Sequence, residues 1–145
     1  MALLFCDSFD HYATADIPKK WSSAIIGGSL GTITIVPTAG RRGGGAIKML
    51  DGNISAVNRL VKSFPATTTM VFGGAFSVLQ GEQQEIIYIM EGNTQHLTFS
   101  RTLANTIQVR KGTFTGTLLG TTSSPVLSDL LYRYIEIKFL ISDTV

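Results

Sequence analysis

The segment from Tyr132 to Ile141 constrains the fold more than any other stretch of this chain. Ile135, Ile137, Phe139 and Ile141 fall on one face, and Tyr134, Glu136, Lys138 and Leu140 on the other. A repeat of two belongs to a strand with one buried side, because a helix would mix the two sets. Glu136 and Lys138 are therefore expected to face water. A second unit runs from Glu85 to Arg101. Ile86-Ile87-Tyr88-Ile89-Met90 is apolar on both faces and reads as a central strand covered on both sides. Glu91-Gly92-Asn93-Thr94 supplies a turn. Gln95–Arg101 then alternates, with Leu97 and Phe99 inward and His96, Thr98 and Ser100 outward, which makes a β-hairpin.

Further strand candidates are Thr32–Val36, Ala46–Leu50, Ala56–Phe64, Thr69–Leu79, Thr106–Arg110 and Gly116–Ser123, and Ala2–Cys6 reads as a first strand. Lys111-Gly112 is a turn, and Ser128-Asp129-Leu130 could form one helical turn. Pro18, Pro37, Pro65 and Pro125 all fall between candidates, where a missing N–H does little harm. Gly73-Gly74 inside a strong strand points to a bulge or a close backbone approach. Short β-branched and aromatic runs separated by Gly, Asn, Ser and Pro predict an all-β chain, an antiparallel β-sandwich or barrel.

Composition fits one ordinary domain of 145 residues with a real core. Charged residues make up 15% against a usual share of about 25%, which argues against disorder. No apolar run approaches the roughly 20 residues of a membrane helix. The net charge is +2, with basic residues spread along the chain, and gives no nucleic-acid footprint. One cysteine, Cys6, makes no intrachain disulfide, and the apolar N-terminus lacks the basic flank of a signal peptide. Synthesis and folding in a reducing cytoplasm are expected.

The order of the pieces carries a resemblance. Asp7-Ser8-Phe9-Asp10-His11-Tyr12 follows a short apolar strand, with Trp21 soon after. A Gly-rich turn leads into Ala46-Ile47-Lys48-Met49-Leu50. Leu60-Val61-Lys62-Ser63-Phe64-Pro65 precedes a long strand with Phe72 and Phe76. Ile107-Gln108-Val109-Arg110-Lys111-Gly112 leads to Leu118-Leu119-Gly120-Thr121-Thr122. Leu131-Tyr132-Arg133-Tyr134-Ile135-Glu136-Ile137-Lys138 ends in Ile141-Ser142-Asp143-Thr144-Val145. Over essentially the whole chain this resembles the concanavalin A-like lectin/glucanase (laminin G-like) jelly roll, in the form found in structural proteins of tailed bacteriophages. The resemblance implies a β-sandwich, other virion proteins as partners, a homo-oligomer and a place in the virion after assembly in the host cytoplasm. Its alternative implication is a lectin-like module for host surface glycans. In the family a further strand follows the Ser-Asp-Thr-Val turn, so the sandwich is expected to continue beyond Val145, or to be completed by a partner strand.

The chemistry the residues offer is sparse. Glycoside hydrolysis needs two carboxylates flanking the scissile bond. Glu82 and Glu85 are three apart and point to opposite faces of a strand, and Glu136 has Lys138 as its same-face neighbour. No catalytic residue is therefore assigned. Asp7 and Asp10 are the candidates for a Ca²⁺ site of the lectin type, or else they cap the turn after the first strand. Two distant histidines and one cysteine give no zinc spacing. Cys6 with His11 or His96 could form a Cys–His pair, against the reading of a small buried hydrophobe. The tract Gly40-Arg41-Arg42-Gly43-Gly44-Gly45 leads into a strand, not a helix, so it reads as a structural loop rather than a phosphate loop. Arg41 and Arg42 remain interface candidates. Tyr12, Trp21, Tyr132 and Tyr134 are candidates for stacking on sugars or anchoring a protein partner, against ordinary rim packing.

Overall fold

The structure, a computed structural model, describes residues 7–27, 29–50, 58–65, 69–78, 83–127 and 131–140. The expected strand at Ala2–Cys6, the turn at Ser128-Asp129-Leu130 and the segment 141–145 lie outside the described residues. The chain is mostly β, and the strand pairs with a described register are all antiparallel. Its contacts group it into two compact units, 1–70 with 140–145, and 71–139.

The first unit contains one short helix, α1 (Ile17–Lys20), and strands β1 (Ser23–Ile25), β2 (Thr32–Val36), β3 (Ala46–Leu50) and β4 (Arg59–Val61). Pro18 sits in the first turn of α1, where its missing N–H is harmless. β2 pairs with β3 and β1 with β4. Ile17 and Ile33 are its buried apolar residues among those described. Asn58 joins the two pairs. Its side-chain oxygen accepts from Gly27 N–H at 2.9 Å, and its amide donates to the carbonyls of Thr32, at 3.3 Å, and Leu50.

The second unit contains β5 (Thr69–Phe76, entering from the first), β6 (Gln84–Glu91), β7 (Thr94–Arg101), β8 (Ile107–Lys111), β9 (Thr117–Thr121) and β10 (Arg133–Leu140). β5 pairs with β10, and β6-β7-β8-β9 form a four-stranded sheet. The hairpin expected at 85–101 is present as β6–β7, turning through Gly92 in the left-handed region. β10 alternates as its sequence demands. Ile135 and Ile137 are half-buried, while Glu136 and Lys138 are exposed.

Three expectations are corrected. β6 is an edge strand of the described sheet rather than a central one. It is half-buried from Ile86 to Ile89, and Met90 is exposed. Thr98 and Ser100, expected outward, are buried, because β7 lies between β6 and β8 and both its faces are covered at this end. Thr98 Oγ1 meets its polar need by donating to Gly112 O at 2.5 Å. The candidate Ala56–Phe64 shrinks to β4, with 51–57 outside the described residues.

The core of this sheet is organised by a buried arginine. Leu127 is 0% exposed, and Phe99 and Ile107 are buried too. Each such side chain contributes about 1.5–3 kcal/mol by leaving water. Arg101, only 2% exposed, donates from Nε to Leu127 O at 3.3 Å and from its guanidinium to Asn105 Oδ1. Asn105 has φ +62°, a backbone region that asparagine tolerates better than most residues. Its carbonyl accepts from Val126 and Leu127 N–H at 2.9 and 3.1 Å. The β7–β8 turn and the 126–127 segment are thereby tied together.

Candidate functional site

The first unit gathers several sequence candidates around Asp7. Its Oδ1 accepts the N–H of Phe9 at 3.0 Å, a local turn that aspartate favours. Its Oδ2 accepts the hydroxyl of Tyr12 and the indole N–H of Trp21, the latter at 3.0 Å. Phe9 stacks on Trp21 at 6.2 Å with rings 5° from parallel, and meets Tyr12 at 6.3 Å in a tilted arrangement. Phe9 pays for this position with φ +59°, a region bulky side chains avoid. Lys20 Nζ lies 5.2 Å from the centre of the Tyr12 ring, within cation–π range. Burial and the neighbouring Asp7 carboxylate push the Tyr12 hydroxyl up to about 12. Tyr12 and Trp21 are thus half-buried partners of a carboxylate.

Asp10 is turned to a different task. Its carboxylate accepts the N–H of Gly45, binding the Gly-rich loop to the N-terminal segment. The glycines there answer to backbone crowding. A Cβ on Gly45 would strike Phe9 O, and one on Gly44 would lie 2.9 Å from Asp10 Oδ1. Gly40 N–H donates to Gly44 O at 2.7 Å and closes the loop on itself. Arg42 sits exposed at its tip with φ +60°. Arg41 occupies the neighbouring position in the loop. Asp7 thus closes the local turn at Phe9, and Asp10 ties the N-terminal segment to the Gly-rich loop.

The other aromatic candidates belong to the second unit. Tyr134 is 61% exposed on β10, and its ring lies over Gly73 of β5, where a Cβ would collide with the hydroxyl end. What approaches Gly73 is thus the Tyr134 side chain rather than the backbone that the glycine pair led us to expect. Beneath it Phe72 and Phe76 meet at 6.0 Å. Tyr132 is half-buried just before the same strand.

The groups considered for catalysis are dispersed. Glu85 accepts the hydroxyl of Tyr88 at 2.7 Å, and His96 faces Glu91 at 3.4 Å across the hairpin. His11 is exposed. Cys6 and Glu82 lie outside the described residues. Among the described residues no three of His, Cys, Asp and Glu come together as a metal site.

One surface was not singled out from the sequence. All five residues of β9, Thr117-Leu118-Leu119-Gly120-Thr121, are exposed, with Leu118 at 46% and Leu119 at 57%. Among the described residues β9 pairs with β8 alone. The available signal was a strand with no charge at all, between Gly116 and Ser123-Ser124-Pro125.

Comparisons with protein-family models, with curated proteins and with solved structures find no match.

Proposed function

We propose that this chain is a non-enzymatic docking module, a structural subunit of a tailed-bacteriophage particle. It would serve as a capsid decoration, fibre or tail-associated protein bound to other virion proteins. The proposed fold is the concanavalin A-like jelly-roll sandwich, and the antiparallel β structure is compatible with it. The observation that carries the reading is β9. An exposed sheet edge with two leucines and no charge is a surface built for strand pairing and apolar burial. The order of sequence pieces, which resembles that of phage structural proteins, supplies the setting. Mass spectrometry of purified particles tests it. The chain is expected as a stoichiometric component, and its absence from particles overturns the reading.

A second reading is favoured by Tyr134. An exposed aromatic ring beside Gly73, with Glu136 and Lys138 exposed on the same face, offers a stacking surface and polar groups for a sugar. A particle-bound module that also holds host glycans would combine both roles. A glycan array run with and without Ca²⁺ is expected to show binding that Tyr134→Ala abolishes, and a blank array removes this reading.

A further inference from the structure

We infer that the polar face of the four-stranded sheet binds a carboxylate between Arg110 and Ser100. This goes beyond the docking reading and does not depend on it.

The pairing registers gather polar residues on one side of the sheet. Thr98 and Ser100 of β7 are two apart and share a face, and in β8 they stand opposite Arg110 and Gln108. In β6 they stand opposite Tyr88 and Glu85. Those two are three apart, and the register shift between Glu85 and Ile87 brings them to the same side. The result is a floor of two small residues between two rows of longer ones. Both floor residues are 0% exposed. Thr98 is satisfied, since its Oγ1 accepts from Gln95 Nε2 at 2.6 Å and donates to Gly112 O. Ser100 Oγ has no hydrogen-bond partner among the described residues, and neither has Arg110 Nε, which is buried too. Arg110 Nε can only donate, and Ser100 Oγ can donate. Buried donors left so are unfavourable and call for an acceptor.

The guanidinium shows which acceptor fits. Its Nη1 donates to Gly116 O at 2.8 Å, which helps to hold the plane of the group. Its Nη2 donates to Gln108 Oε1 at 3.2 Å, the long end of the usual range. Nη2 and Nε lie on one edge of the planar group and donate in parallel, the arrangement that the two oxygens of a carboxylate accept together. A single neutral amide oxygen now meets this edge and leaves Nε without a partner. Gln108 stands directly opposite Ser100, at a Cβ separation of about 4.5–5.5 Å for such pairs. A group that takes the place of its amide oxygen therefore comes within reach of the serine hydroxyl. Gln108 is half-buried and its β9 neighbour Thr121 is exposed, so the amide has solvent to turn into. The exchange replaces a neutral acceptor by a charged one and fills both empty donors.

Glu85 limits what enters. It stands opposite Ser100 on the other side, two strands or about 9.5 Å from Gln108. Its Oε2 accepts the hydroxyl of Tyr88 at 2.7 Å. Its charge opposes an arriving anion, which favours a singly charged carboxylate over a phosphate dianion.

Nuclear magnetic resonance of the full-length chain tests the site, with acetate, a capped peptide holding one glutamate, and inorganic phosphate as probes. Chloride at matched ionic strength is the control. Acetate and the peptide should shift the Arg110 Nε–H signal saturably, and chloride should not. The tighter of the two tells a free small carboxylate from a partner's side chain. Arg110→Lys keeps the charge but lacks the paired edge, and should weaken binding about tenfold, read at the Ser100 amide. Ser100→Ala should weaken it about threefold while thermal stability stays level or rises, because only an unpaired hydroxyl is lost. Glu85→Gln should tighten it about twofold. Circular dichroism confirms that each variant is folded, and the last two substitutions carry the test if Arg110→Lys is not. No saturable shift, a response equal to that of chloride, or phosphate binding more tightly than acetate overturns the inference. So does Ser100→Ala that lowers stability and leaves binding unchanged, since the serine is then structural.

Discussion

Asp7 and Arg101 do the same job in the two units by opposite means. Each joins near and more distant residues, Asp7 as an acceptor for Phe9, Tyr12 and the farther Trp21, Arg101 as a donor to Asn105 and the farther Leu127. Asp7 is half-buried and ringed by aromatic groups, whereas Arg101 is buried entirely. The Asp7 hub also includes a phenol pushed above its ordinary value, so the lock of the first unit is one that alkali can open.

The largest expected effect comes from breaking the buried hub. Arg101→Ala strands the Leu127 carbonyl and Asn105 side chain and opens a void, and should cost about 3 kcal/mol or more in denaturant unfolding. Arg101→Lys should recover only part of this, because an ammonium cannot reproduce the planar fork. Asp7→Ala removes three hydrogen bonds at a partly wet site, and about 2 kcal/mol is expected, with a shift in Trp21 fluorescence as the local readout.

The smallest effect sharpens the contrast most. The folded Tyr12 hydroxyl lies near 12, above its ordinary 10.0. Its contribution is therefore fully present below pH 10 and is lost as pH rises through about 12. Thermal unfolding followed across that window should show the loss in the wild type and a reduced slope in Tyr12→Phe. Equal slopes would remove Tyr12 from the alkaline response.

The regular strands were legible because their residues repeat with the pleat. β2 and β3 match their expected bounds, and β10 and the β6–β7 hairpin follow from alternation and a Gly-Asn turn. β1 was not legible, since Ser-Ala-Ile is too short to show a period and its pairing with β4 is non-local. Thr98, Ser100 and Arg101 look like a wet face in sequence. Their burial depends on which strands flank β7 and on partners brought from Gly112, Asn105 and Leu127. The site candidates divide the same way. Residue type marked Tyr12, Trp21, Asp7 and Asp10 as notable, but that three of them share one carboxylate hub is a fact of folding. Arg41-Arg42 drew attention as charge, while the glycines around them hold the loop against Phe9 and Asp10.

Asn58 gives the first unit a cooperativity its short strands lack. β1–β4 joins three residues to three, too few to persist alone. By accepting from Gly27 and donating to Thr32 and Leu50, Asn58 makes each strand pair's opening forfeit bonds that belong to the other. Fraying at one pair thus costs both, and the two are expected to exchange as a single protected unit.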